Sequence, residues 1–126
     1  MLASWVSQAT FNPPGLTIAV AKDRAIESYL YEGDRFVLNL LEQGKQLRKH
    51  FMKKFAPAED RFADVHVDIT ESGLVLTDSL AYLECRVTQR MECGDHWLVY
   101  AIVENGKLLQ SNGLTAVHHR KTASNY

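Results

Sequence analysis

Cysteine is scarce in this sequence: Cys85 and Cys93 are the only two among 126 residues. Two thiols cannot build a disulfide scaffold or a four-thiolate metal site, so a reduced intracellular compartment is expected. An excess of one charge is lacking too, with 14 Lys+Arg against 15 Asp+Glu and a net charge of −1. That balance excludes a strongly basic nucleic-acid binder. The longest apolar run, Trp97 to Val103, is far short of the roughly 20 residues of a membrane helix. Met1-Leu2-Ala3-Ser4-Trp5 has no basic region and no long apolar stretch, so no signal peptide is expected. The seven glycines never take the spacing of a phosphate loop or a dinucleotide fingerprint. No Gly-x-Ser-x-Gly elbow occurs, and no two histidines stand four apart. Serine-hydrolase chemistry and metal ligation are poorly supported.

What is present is a globular composition, with 46% hydrophobic and 10% aromatic residues. A single soluble, cytoplasmic domain is expected at this length. Ser4 to Phe11 reads as a strand stopped by Asn12-Pro13-Pro14-Gly15, because proline cannot donate to a ladder. Leu16 to Ala21 and Phe36 to Leu41 read as short buried strands. Between them, Asp23 is an expected N-cap for a helix ending at Gly33. Gln43 to Lys54 reads as a second helix, with Leu47, Phe51 and Phe55 at four-residue spacing. Val65, Val67 and Ile69 alternate with polar residues, which predicts a half-buried strand. Residues 82–103 predict a hairpin that turns at Cys93-Gly94-Asp95. Asn105-Gly106 is the pattern of a second tight turn, with Leu108 and Leu109 starting another strand. Asn112-Gly113 then turns into a strand over Leu114 to Val117, and His118 to Tyr126 forms a frayed polar tail. Six or seven short strands with two early helices predict an antiparallel barrel, mainly β.

Two segments carry polar groups in suggestive clusters. Ser4, Ser7, Gln8 and Thr10 accompany Trp5 just before the two prolines. Taken alone, this is an edge strand with a polar outer face. Gly94-Asp95-His96-Trp97, taken alone, is an ordinary turn in which Asp95 bonds its own backbone. In combination they resemble the flavin reductase-like, FMN-binding split-barrel family. The residues that carry the resemblance are Ala3-Ser4-Trp5-Val6-Ser7-Gln8 through Asn12-Pro13-Pro14, the strand Phe36-Val37-Leu38-Asn39-Leu40, and the Gly94-Asp95-His96 turn. Ala19 to Glu27 and Met91 to Tyr100 are similar in wording to the C-terminal flavin reductase domain of cyanobacterial flavodiiron (diflavin) proteins.

The resemblance implies a Greek-key, antiparallel FMN-binding split β-barrel and an NAD(P)H:flavin oxidoreductase activity. NADH or NADPH would be the electron donor. Electrons would pass to a partner flavin or diiron centre in the flavodoxin-like and diiron domains of a parent protein. Family members carry a further strand pair ahead of the Ala-Ser-Trp segment. Residues 1–126 are therefore expected to be a flavin reductase-like domain without its first strands, a fragment of a larger protein. A homodimer is expected, because family barrels pair across the flavin site. The alternative is a non-enzymatic split-barrel binding or assembly module without bound flavin.

The same resemblance places the site. FMN carries a dianionic phosphate, a ribityl chain and a flat ring. Lys22 and Arg24 flank the start of the first predicted helix, where cations, amide groups and the dipole favour a phosphate. Ser4, Ser7, Gln8 and Thr10 are candidates for the ring edge and ribityl oxygens. An ideal strand puts Ser4, Gln8 and Thr10 on one face and Trp5 and Ser7 on the other. Trp5 is a candidate stacking residue, although large aromatics more often pack. Asn39, in a buried strand, needs a partner, either flavin or backbone. His96 is the candidate catalytic residue, a donor beside the ring where charge develops on hydride transfer.

Overall fold

The computed structural model describes residues 1–44 and 46–117. The chain runs β1 (Val6–Phe11), β2 (Pro14–Ala21), a 3₁₀ turn (Ala25–Tyr29), β3 (Arg35–Leu40), α1 (Gln46–Met52), β4 (Val67–Thr70), β5 (Gly73–Leu76), β6 (Ala81–Cys93) and β7 (His96–Leu108). Five strands form one antiparallel sheet in the order β1-β2-β7-β6-β3, and β4-β5 form a separate hairpin. The mainly β, antiparallel split-barrel expectation holds.

The core follows from alternation along β2, β6 and β7. Leu16, Ile18 and Val20 point to the same face as Val99 and Ala101, and Cys85 and Val87 join them. Phe36, Leu38, Leu83, Trp97 and Val103 pack around this centre. Two irregularities in the β6–β7 register, at 84/85 and 87/89, keep both long strands facing inward as the sheet curls.

Several local expectations are corrected. Asn105-Gly106 is not a turn but lies inside β7, one residue past the irregularity that leaves Glu104 without a partner across the ladder. The glycine is needed there for closeness: a Cβ would stand 2.9 Å from both Leu83 Cδ2 and the Tyr82 carbonyl oxygen. Consequently β7 ends at Leu108 and no new strand starts there. Asp23 does not cap a helix; Arg24 holds the cap position of a single 3₁₀ turn and makes no side-chain cap bond. Among the described residues of the expected second helix, Gln46–Met52 are helical. Residues 114–117 form no strand, only the bridge between Glu42 and Thr115. The short strand β5 was not anticipated, and the expected strand at 65–69 begins at Val67. The tail expectation for His118 to Tyr126 falls outside the described residues. None of the described helices is long and apolar enough to cross a membrane.

The turn between β6 and β7 matters most for function. Cys93 pairs with His96 across a two-residue connection. Gly94 takes φ +60° there, the left-handed value that a tight hairpin requires and that glycine adopts without strain.

Candidate functional site

The β2–β7 register sets Ala21 opposite His96, and the Lys22 amide donates to the Asp95 carbonyl at 2.9 Å. The Ala19 amide donates to the Trp5 carbonyl at 3.0 Å, which brings the approach to β1 to the same corner. Trp5 and His96 meet there, with ring centroids 4.9 Å apart and planes tilted by 32°. The His96 side chain is 12% exposed, and its Nδ1 lies 2.7 Å from Oδ1 of the exposed Asp95. That bond to His96 holds the Asp95 carboxyl below its ordinary range. A neutral His96 that donates through Nδ1 presents Nε2 as an acceptor; a protonated one donates from both nitrogens.

The two cations differ in how they are used. Lys22 Nζ is ion-paired with Glu92 and lies 5.3 Å over the Trp97 ring. The same hydrogen bond lowers the Glu92 pKa. Arg24 is exposed, and its guanidinium has no hydrogen-bond or ion-pair partner among the described residues. Arg24 and Arg61 both lie near the Met1 amine, whose pKa is lowered by burial first and then by Arg61 and Arg24. Arg61 also sits 5.4 Å over the Phe55 ring.

The polar residues of β1 divide. Ser7 Oγ donates to the Gln8 carbonyl at 3.2 Å, and Ser4 is exposed. The register slips between Gln8 and Thr10, so Thr10 faces the side of Ser7 and Trp5, not that of Gln8. The irregularity at Ala9 breaks the ideal alternation, which corrects the expected grouping of Ser4, Gln8 and Thr10. Gln8 pairs with Leu16 and shares its face.

Asn39 is not gathered with the others. Its Nδ2 donates to the Leu74 carbonyl at 3.1 Å and its Oδ1 accepts the Leu76 amide at 2.8 Å. One carboxamide thus acts as a piece of ladder between β3 and β5. Of the residues singled out in the sequence, Trp5 and His96 meet at one corner, where the Lys22 backbone joins Asp95 while its side chain lies against Trp97 and Glu92. Ser7 and Thr10 are on the strand beside that corner, and Arg24 opens the turn that follows Lys22. Sequence reasoning missed Glu92, Asp95 as the partner of His96, Arg61, and Arg90. Only Asp95 carried a signal, since it adjoins the histidine in a forced turn.

The family described as flavin reductase like domain matches residues 1–125. The chain belongs to that family. Within it, the chain is 64% identical over its whole length to a putative diflavin flavoprotein A 6 of Nostoc sp., covering 23% of that protein. It is 62% identical to diflavin flavoprotein A 1 of Synechocystis sp., covering 22%. The chain thus spans less than a quarter of the curated relatives it matches and corresponds to their flavin reductase-like region. Among solved structures, a Streptomyces globisporus NADH:FAD oxidoreductase is similar at TM-score 0.77 and 26% identity, over 86% of this chain and 66% of that one. The flavin reductase HpaC complexed with NADP+ shares the fold at TM-score 0.76 and 21% identity, over 93% and 75%. Flavin reductase-like membership places the chain in a flavin-binding oxidoreductase family.

Proposed function

We propose that this chain is an FMN-dependent NAD(P)H:flavin oxidoreductase domain that passes electrons to a partner flavin or diiron centre. The observation that carries the proposal is one corner of the sheet. An Asp95-oriented histidine packed on Trp5 lies beside the turn opened by an arginine that has no partner among the described residues. The residues fit FMN chemically: an unspent guanidinium suits a phosphate, serine hydroxyls suit the ribityl chain, and an aromatic–imidazole wall suits a flat ring. Bound FMN would supply the ring that accepts a hydride from the nicotinamide. The chain's own residues have simpler tasks. Arg24 holds the phosphate, Trp5 limits the space beside the ring, and a protonated His96 donates a hydrogen bond where charge develops.

The relatives' length supports a place within a longer diflavin protein. The proposed electron acceptors are then its flavodoxin-like and diiron parts. An assembly module without flavin is the less favoured reading, because the family is a flavin-binding one. A homodimer is proposed as well. Trp5 and Met91 are 40% and 57% exposed. Met91 pairs with Leu98 across the ladder on the outer face of the sheet, so the described residues leave apolar area exposed there.

The test is an anaerobic titration with FMN followed by NADH or NADPH. Binding perturbs the flavin spectrum, and turnover bleaches it at a rate above that of free FMN. An unperturbed spectrum and no bleaching with either nucleotide would sink the enzyme reading. Light scattering at micromolar protein tests the dimer, and a mass near 14.3 kDa contradicts it.

A further inference from the structure

Arg90 is a cation that the site described so far does not use. Its side chain is 13% exposed and that of its partner Glu27 is 19%. Nη2 donates to Glu27 Oε1 at 2.9 Å, and Nη1 donates to the Glu27 carbonyl at 3.3 Å. One guanidinium therefore grips both the side chain and the backbone of a residue in the 3₁₀ turn. Its Cζ also lies 3.9 Å from the Trp97 ring centroid and 4.0 Å from that of Tyr31. Trp97 follows His96 on β7, and Glu27 lies three residues after Arg24 in the turn that Arg24 opens.

Stability alone does not account for this arrangement. A largely buried ion pair loses solvation that its own attraction barely recovers, and an apolar residue could fill the same space. What an apolar residue cannot do is fix direction. The guanidinium is a rigid planar fork, so its place between two rings and its two bonds to Glu27 together fix where Glu27 must lie. Opposite Val99 in the register, Arg90 reaches from mid-strand to the turn.

We propose that Arg90 is a positioning residue of the flavin site, holding the turn that starts at Arg24 at a fixed spacing from the strand that starts at His96. The inference rests on the reading above, in which Arg24 meets the phosphate end of FMN and His96 the ring end. Two contacts at opposite ends of one ligand form together only when their separation matches the ligand. Riboflavin lacks the phosphate and does not need that match.

The experiment measures dissociation constants for FMN and riboflavin on the whole chain, with flavin-free melting temperatures alongside. The variants are Arg90→Met, Arg90→Lys and Val87→Ala. Arg90→Met is expected to weaken FMN by about tenfold and riboflavin by less than about threefold, the scale of one lost charge-assisted contact. Val87→Ala cuts a fully buried core side chain, so it lowers the melting temperature while leaving the FMN-to-riboflavin ratio at its wild-type value. Arg90→Lys keeps the charge without the planar fork, and about a threefold fall in that ratio is expected. If Arg90→Met does not fold, Arg90→Lys decides. A wild-type ratio in the folded Arg90 variants overturns the positioning role and leaves the flavin reading intact. A wild-type chain that does not distinguish FMN from riboflavin overturns the phosphate reading, and this inference with it.

Discussion

His96 Nδ1 lies 2.7 Å from Asp95 Oδ1, a contact between neighbours in sequence that a forced glycine turn makes possible. The carboxylate is exposed and the imidazole is not, so Asp95 orients the ring from the solvent side. Replacing Asp95 with Asn keeps an acceptor but removes the charge. Nicotinamide-dependent turnover is expected to fall about threefold, the scale of an exposed ion pair. The Asp95 pKa is lowered, chiefly by its hydrogen bond to His96. Its contribution is therefore present above the ordinary value of 3.8 and is lost as pH falls through the lowered one. Asp95 stays ionised from pH 7 down to pH 5, so a gap between wild type and variant should be present throughout that range, as steady-state rates would show. A gap that closes in that range would assign the effect to another group.

Asn39 supplies two hydrogen bonds that join β3 to β5. Asn39→Ala leaves a carbonyl and an amide without that partner, at about 1–3 kcal/mol. Denaturant unfolding should show the loss, while FMN affinity should change by less than about twofold because the corner proposed for the flavin is untouched. A large loss of FMN affinity at unchanged stability would return Asn39 to the cofactor.

These two residues show which parts of the sequence were legible. The β6–β7 hairpin was readable because alternation and a Cys-Gly-Asp-His turn state the same thing twice. The Asn105-Gly106 pair misled, because the demand for glycine came from Leu83 and Tyr82 on the neighbouring strand, which no local pattern reveals. Thr10 changed face for a related reason: an irregular register is a property of two strands. Lys22 and Arg24 looked alike in sequence, and only the fold shows that Glu92, seventy residues away, occupies one of them. Arg90 carried no local mark, because its meaning lies in two rings and a carboxylate from two distant segments.

The two thiols differ sharply in exposure. Cys85 is fully buried, and its pKa is pushed up to about 11 by burial and then by Glu104. Cys93 is exposed. Native protein at pH 8 should release one equivalent of chromophore from a disulfide reagent, and denatured protein two. The stability consequence has a definite sign. The unfolded Cys85 thiol ionises near 9 and the folded one near 11, so this group favours unfolding as pH rises through that window. Cys85→Ala should therefore flatten the alkaline fall in melting temperature relative to wild type, and an unchanged slope would contradict the assignment.

The last prediction separates the two cations beside the site. Arg24 has no partner among the described residues, whereas Lys22 is held by Glu92 and lies over Trp97. Charge-assisted contacts to a phosphate contribute about 1.5–3 kcal/mol, so Arg24→Ala should weaken FMN by about tenfold or more with little effect on riboflavin. Lys22→Ala should cost clearly less, because part of its charge is already neutralised. Glu92→Gln releases Lys22 and removes a negative charge, so FMN should bind more tightly than in wild type, and the gain should shrink with added salt. Paired titrations of the three variants with both flavins read all of these at once. Equal losses for FMN and riboflavin in Arg24→Ala would move the phosphate away from this turn. A weaker FMN complex in Glu92→Gln would show that the ion pair itself shapes the site.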